Sequence, residues 1–500
     1  MVEQKINNVQ SLNNYRSSNI DTDWQDVAPQ KLPVAISKTE PAIALLHCMD
    51  LIDDFLDHIN ISFETYCNEF VGSWMFGYIN ALKQVGVRTV LFCISARFTE
   101  VSRFTHVPTD TIICVLPASK AYLAYRAVRR QALSAYGASE GQTFKDIQDS
   151  NPTRRSLLTQ LKNLAQSFGT YLSTPLGLLA REIRREGCSA ILCQEYEYAR
   201  FDACVLLGKP IGLPVFATFQ GGDKTHSFLE YPLRQMAFRG CTGVIISTQK
   251  EIERVRDRYQ LPPAKITRIF DPMDTVTWRA LDRSEARATL GIPLEARVVV
   301  CHGRIDFHRK GLDILVAAWD KICCDRPNQD LRLLLVGTGP DADKLRQCIA
   351  KMQLPGVMWR DEFVSDRAVL RLYLSAADVY TLASRQEGFP IAPIEAMACS
   401  LPVVAADAPG VPDILEGGEI SGGLVVPRED ATALALALGR VLDDEAWGRE
   451  MGKRARRRIE EYFSPEVIGK QLRDFMLKQK VEFSETNTPQ KNLSRLAKTN

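Results

Sequence analysis

Short apolar runs separated by helix-length segments recur twice along this chain, and that alternation restricts its fold more than any other feature. The first series holds AIALLHC (42–48), RTVLFCIS (88–95), DTIICVLP (110–117), SAILCQE (189–195), LPVFATFQ (213–220) and CTGVIIST (241–248). The second holds ARVVVCHGR (296–304), LRLLLVGTG (331–339), GVMWRDEF (356–363), AADVYTLAS (376–384) and LPVVAAD (401–407). Continuous apolar runs of this length suit strands of a parallel sheet covered on both faces. Helical patterns between them, such as GYINALKQVG ending at Gly86, make each step a strand–helix–strand unit. At 500 residues the chain is too long for one core.

The expected fold is therefore α/β, with two Rossmann-like, doubly wound parallel-sheet domains facing a cleft. The expected boundaries are a polar leader (1–37), a first domain (38–275), a second domain (276–463), a helix returning to the first domain (464–480) and a polar tail (481–500). KITRIFDPMDTVTWRA (265–280) is read as the linker, residues 118–186 as mainly helical, and 430–462 as one helical run with solvated arginines. Ligands of such sheets bind outside the carboxyl ends of the strands, so the loops there carry the functional expectations.

Four of those loops stand out. In CHGRIDFHRKGLDIL, Gly303-Arg304 leaves a strand and Lys310-Gly311 opens a helix. Two cations beside a helix N-terminus suit an anion, because the free N–H groups and the dipole add to the side-chain charge. An ordinary strand–helix turn with solvated basic residues is the competing reading. In LLVGTGPD, Gly337 and Gly339 bracket a sharp strand exit that lets backbone approach a ligand. In SRQEGFPIAPIEAMACS, the turn Gly388-Phe389-Pro390 precedes a helix expected to begin near Pro393, with Glu395 in its first turn. Glu395 there is either a helix-end charge or, like Glu387, a carboxylate that accepts hydrogen bonds from sugar hydroxyls. The fourth, ADAPGVPDILEGGEISGGLVVP, is read as a glycine- and proline-shaped loop (410–412) lying over the same pocket.

Taken together and in this order, Gly303-Arg304, Lys310-Gly311, Gly337-x-Gly339 and EGFPIAPIE resemble the retaining family-four (group 1) glycosyltransferases of the GT-B fold. The resemblance is specific over about residues 295–463, looser over 185–294, and before that rests on strand–helix order. It implies transfer of a hexose-type sugar from a nucleotide-diphosphate donor to an acceptor hydroxyl with retention of configuration, in polysaccharide, glycolipid or small-molecule glycoside synthesis. It implies Arg304, Lys310 and Glu387 as catalytic residues, the cations on the diphosphate and Glu387 on the transferred sugar. Gly303, Gly337, Gly339, Phe363, Gly388, Phe389, Pro390 and Glu395 would bind donor, with Glu395 on the ribose and the loop from Asp361 to Phe363 beside the base. Gly72, Gln220, Gly221, Asp223 and His226 would lie on the acceptor side. Two departures stand there: Gln220 occupies a position where many relatives carry a histidine, and NEFVGSW replaces the usual glycine pair. A GT-B epimerase or phosphorylase, and a catalytically inactive partner or sugar-nucleotide sensor, are the alternatives.

Composition narrows the partners. A hydrophobic share of 45% and a charged share of 24% suit a globular chain. The formal net charge of +2 gives no overall attraction to nucleic acid. The arginine clusters at 129–130, 154–155, 184–185 and 454–458 are read first as solvated helix faces and second as weak sites for anionic headgroups, so peripheral membrane contact stays open. Thirteen cysteines without regular spacing argue against a disulfide framework, and no cluster carries metal-ligand spacing. A polar start and the lack of a membrane-length apolar run place the chain in the cytoplasm, with no cofactor or metal and the nucleotide sugar as a substrate.

Overall fold

The computed structural model describes residues 41–71, 74–135, 169–219, 221, 230–364 and 366–487. Two sheets organise them. The first is built from β1 (Ala42–Leu46), β2 (Arg88–Ser95), β3 (Ser102–His106), β4 (Thr111–Pro117), β5 (Cys188–Cys193), β6 (Val215–Thr218), β7 (Gly243–Ile246) and β8 (Ile266–Arg268). Their order is β3-β4-β2-β1-β5-β6-β7-β8, parallel throughout except for β3, which runs antiparallel to β4. The second sheet holds β9 (Arg297–His302), β10 (Leu331–Val336), β11 (Val357–Arg360), β12 (Val379–Leu382), β13 (Val403–Ala406) and β14 (Gly423–Val426). Its order, β11-β10-β9-β12-β13-β14, is all parallel. The expectation of two doubly wound α/β domains holds.

Both sheets reverse their winding once, between β1 and β5 in the first and between β9 and β12 in the second. Strands leaving in opposite directions around the sheet open a crevice at that point, which is where ligands of doubly wound sheets bind. The central strands are buried along their length, as continuous apolar sequence demands: every residue of β1 and of β12 is inaccessible.

The segment read as a linker is buried at Ile269, Phe270, Asp271, Met273 and Trp278 and shares its core with both domains. Phe270 stacks on Phe463 at 4.5 Å and on Phe389 at 5.7 Å, with interplanar angles of 13° and 15°. Asp271 accepts from the Tyr78 hydroxyl at 2.9 Å, and Met273 N donates to the Phe463 carbonyl at 2.7 Å. The final helix, Pro465–Asn487, crosses to the first domain and packs on the helix Trp74–Gln84. A Cβ at Gly469 would sit 2.1 Å from the Ala81 carbonyl oxygen, so only glycine allows that approach.

Several sequence expectations need correction. The run 430–462 is two helices, Ala431–Asp443 and Glu445–Tyr462, broken where the Asp444 carboxylate caps the second by accepting from Trp447 N at 2.9 Å. Residues 423–426, not picked out as a strand in the sequence, form edge strand β14, whereas the head of 265–280, strand-like in sequence, is edge strand β8 (Ile266–Arg268). The stretch after Gly410 is a short helix, Val411–Ile414. Arginines expected on a solvated face are partly internal. Arg456 donates to the carbonyls of Thr275, Trp278 and Ala398 at 2.9, 2.6 and 2.7 Å. Arg458, 8% exposed, donates to those of Asp413 and Ile414. Arg184 and Arg185 are exposed as expected, whereas Arg154 and Arg155 lie outside the described residues. All thirteen cysteines are free thiols. No helix among the described residues is long and apolar enough to cross a membrane.

Candidate functional site

The crevice of the second sheet gathers the loops after β9, β10 and β12. Gly337 leaves β10 at φ +136°, and a Cβ there would lie 2.0 Å from the Gly303 carbonyl oxygen. The two strand exits touch backbone to backbone because Gly337 has no side chain. Gly339 meets the Ile305 carbonyl in the same way at 2.2 Å, and Ile305 N donates to the Thr338 carbonyl at 3.0 Å. Trp359 of β11 fixes the bend from outside, its indole N–H donating to the Gly337 carbonyl at 2.9 Å.

Gly311, at φ +61°, is the N-cap of the helix Leu312–Asp325, and a Cβ there would strike the Ala383 carbonyl at 2.0 Å. That approach brings the loop after β9 against the loop after β12. Lys310 Nζ donates to Glu387 Oε1 at 2.7 Å, and Ser384 Oγ donates to the same oxygen at 2.6 Å. The Glu387 side chain is 6% exposed and that of Lys310 24%. Arg304 differs: it is exposed, and among the described residues its guanidinium has no partner. A guanidinium in solvent beside a crevice is available for a bidentate anion contact.

Eight residues beyond Glu387, Glu395 Oε2 meets His302 Nε2 at 2.8 Å. The helix carrying Glu395 runs Ile391–Ala398, so Glu395 lies in its second turn, not the first, and a helix-end role does not explain it. The cap residue Pro390 makes no side-chain cap bond. Among the described residues no acceptor engages the N–H groups of Gly388 and Phe389 either. These N–H groups lie just ahead of the helix, at its positive end, and Gly388 lines the cavity between the domains. Gly410 sits against the same turn, since its Cβ would be 2.9 Å from the Gly388 carbonyl.

Two cavities open here. One of about 540 Å³ is lined by His302, Gly303 and Arg304, by residues 336–340, and by Phe363, Val364 and Leu370. From the first domain, His58, Ile59 and Asn60 complete it. The other, about 360 Å³, lies between the domains, with Glu387, Gly388 and Pro409 facing Phe219, Gly221, Thr248, Lys250, Glu251 and Arg254. Gly221 approaches so closely that its Cβ would lie 3.2 Å from Gly388 Cα. Gly72, Gln220, Asp223 and His226 lie outside the described residues. The acids of EYEYARFD are buried in the first domain, where Glu197 and Glu251 both bind Arg254.

Three residues of this site went unassigned by the sequence reading. His302 stands in the quoted CHGR, yet nothing in a single sequence links it to an acid 93 positions away. Ser384 is a small hydroxyl after a strand, with no spacing signal of its own. Arg385 fastens the two loops together, donating to Asp313 at 2.8 and 2.7 Å, to the His308 carbonyl at 2.8 Å and to Glu429 at 3.1 Å. Burial works against the Asp313 charge, but the bonds from Arg385 outweigh it and hold that carboxyl below its ordinary range.

Residues 296–444 match the model of the family Glycosyl transferases group 1. The D-inositol 3-phosphate glycosyltransferase of Kineococcus radiotolerans is 32% identical over 241 residues, covering 45% of this chain and 55% of that protein. The chain thus spans about half the length of that curated relative. Among solved structures, sucrose-phosphate synthase of Thermosynechococcus elongatus superposes with a TM-score of 0.58 at 21% identity, over 88% of this chain and 98% of the other. Anabaena HepE, solved with UDP and glucose, gives 0.57 at 16% identity, over 88% and 100%.

Proposed function

Since the chain carries a group 1 glycosyltransferase domain within a GT-B fold, we propose that it transfers a hexose-type sugar from a nucleotide-diphosphate donor to an acceptor hydroxyl with retention. The observation that carries this reading is the convergence at the β9/β12 crevice. Arg304, whose guanidinium has no partner among the described residues, lines the cavity of about 540 Å³, while Glu387, held by the Lys310 ammonium, and Gly388, just ahead of a helix without a side-chain cap, line the one of about 360 Å³.

Each group has a task in that reading. Arg304 and the Gly388 and Phe389 N–H groups take the diphosphate oxygens, and Lys310 adds a second positive charge as the leaving group gains negative charge. A diphosphate stabilised this way needs no protonation and no metal. Glu387, oriented by Lys310 and Ser384, keeps its second oxygen for hydroxyls of the departing sugar. Glu395, oriented by His302, accepts from ribose hydroxyls, and Phe363 stands at the base. The acceptor enters the cavity that Phe219, Thr248 and Lys250 share with Glu387, with its hydroxyl on the face the diphosphate leaves.

The test is a screen of UDP-, GDP- and ADP-sugars by thermal shift, followed by product analysis with the stabilising donor. One class of donor should raise the melting temperature, because a ligand held only by the folded state stabilises it. The product should keep the donor's anomeric configuration and form in the presence of a chelator. No stabilisation by any donor refutes the reading. A requirement for inorganic phosphate, or turnover without an acceptor, points instead to the phosphorylase or epimerase reading.

A further inference from the structure

The connection between β1 and the helix Trp74–Gln84 spans residues 47–73, and its described part forms two extra helices, Ile52–Ile59 and Phe63–Asn68. They are built as a rigid wall. Arg200, 3% exposed, holds the start of the connection through the carbonyls of His47, Met49 and Asp50. Asp53 accepts from Ser95 Oγ at 2.7 Å and Ala96 N at 2.6 Å, and Asp57 takes both its oxygens to Arg97 at 2.8 Å. Phe55, Phe63, Tyr66 and Phe70 pack the underside in edge and stacked contacts. Asn60 ends the first helix at φ +54°, and Ser62 caps the next by accepting from Thr65 N at 3.0 Å.

The tip of this wall, His58-Ile59-Asn60, lines the second domain's large cavity together with Phe363. His58 and Asn60 are exposed there, and Phe363 is 79% exposed, an aromatic ring left in water at the cavity rim. The same face is latched to the second domain. Arg367, on the helix that also supplies Leu370 to the cavity, donates to the Val71 carbonyl at 2.5 Å.

We infer that His58 and Asn60 are donor-binding residues contributed by the first domain, closing on the nucleoside from the side opposite Phe363. This deepens the reading of the site as a nucleotide-sugar pocket and rests on it. A flat nucleobase suits a slot with an aromatic ring on one wall and an imidazole and a carboxamide on the other. Because the two walls belong to different domains, nucleoside binding joins the domains before the sugar contributes anything.

Titration calorimetry of the full chain with UDP, GDP and ADP tests this in wild type and in a His58→Ala/Asn60→Gly double variant. Glycine keeps the left-handed backbone at position 60. The nucleotide bound by wild type should bind the double variant about tenfold more weakly, the effect of losing one or two polar contacts. The unliganded melting temperature should hold, and so should the ratio of nucleotide-sugar to nucleotide affinity. Equal nucleotide affinity in both proteins overturns the inference while leaving the donor pocket intact. Failure of wild type to bind any of the three nucleotides overturns the underlying reading as well.

Discussion

Exchange of Lys310 for methionine isolates the ammonium that meets Glu387. In the native protein Glu387 Oε1 receives two hydrogen bonds, from Lys310 at 2.7 Å and Ser384 at 2.6 Å, while the side chain is 6% exposed. Removing Lys310 leaves that carboxylate with one neutral donor. Breaking a buried pair from one side costs about 3–5 kcal/mol, and the partial exposure of Lys310 lowers the expectation to about 2–3 kcal/mol. Glu387→Gln keeps the shape and an acceptor oxygen, and leaves an ammonium that water can reach, so about 1 kcal/mol is expected. In the double variant no uncompensated charge remains, and its cost should stay near that of Glu387→Gln alone. The cycle should therefore yield a coupling of about 2–3 kcal/mol, read from urea unfolding midpoints at constant m-value. Donor turnover separates the roles. Lys310→Met should weaken binding of the nucleoside diphosphate itself, whereas Glu387→Gln should leave that binding unchanged and lower transfer. Additivity of the two stability changes within about 0.5 kcal/mol refutes the electrostatic account of this pair. Full transfer activity in Glu387→Gln refutes its role at the sugar.

Gly337→Ala combines a φ of +136° with a Cβ 2.0 Å from the Gly303 carbonyl, and should cost about 3 kcal/mol or more while abolishing nucleotide binding. A wild-type unfolding midpoint would refute the close approach of the two strand exits. His47 offers a test by pH. Burial, reinforced by the Arg200 charge, lowers its imidazole from 6.5 to about 3. The unfolded chain thus binds more protons between those values, and the contribution is full above pH 6.5 and declines as the pH falls towards 3. Between pH 7 and pH 5 it should remove about 2 kcal/mol, and His47→Asn, which retains an acceptor for Met49 N, should flatten that slope in denaturant titrations.

The fold was legible because buried parallel strands must be apolar along their whole length. RTVLFCIS and β2 coincide residue for residue, and β9, β10 and β12 all fall inside the quoted runs. Strands that break this rule escaped. Ser102–His106 lies at an edge and alternates half-buried polar residues with Phe104, and β14 carries two glycines just before or within it. The loops at the β9/β12 crevice were legible because sharp strand exits and close backbone approaches demand glycine. The destinations of long side chains were not. Arg456 and Arg458 read as surface residues and Arg385 carried no reading, yet each satisfies carbonyls or carboxylates brought near by distant parts of the chain. Sequence periodicity reports which face of an element is buried, and says nothing about the partner a guanidinium finds. The wall at 58–60 was equally hidden, since its significance lies in lining one cavity with Phe363 across a domain boundary.

The acids of SRQEGFPIAPIEAMACS have two possible uses, as an acid–base pair or as separate clamps on a ligand. Carboxyls that divide acid and base work do so because neighbouring like charge or apolar burial drives their proton affinities apart. Here each acid has a basic partner of its own, and both partners come from the segment that leaves β9. His302 takes Glu395 and Lys310 takes Glu387, on either side of Gly303-Arg304. Neither acid hydrogen-bonds the other, so there is no shared proton to divide. The pairing fixes one oxygen of each carboxylate and leaves the other to accept hydroxyl hydrogens, while Arg304 between them has no partner among the described residues. Such an arrangement suits a ligand with two polyhydroxylated ends and an anionic middle, gripped at three points along its length, better than it suits a proton relay.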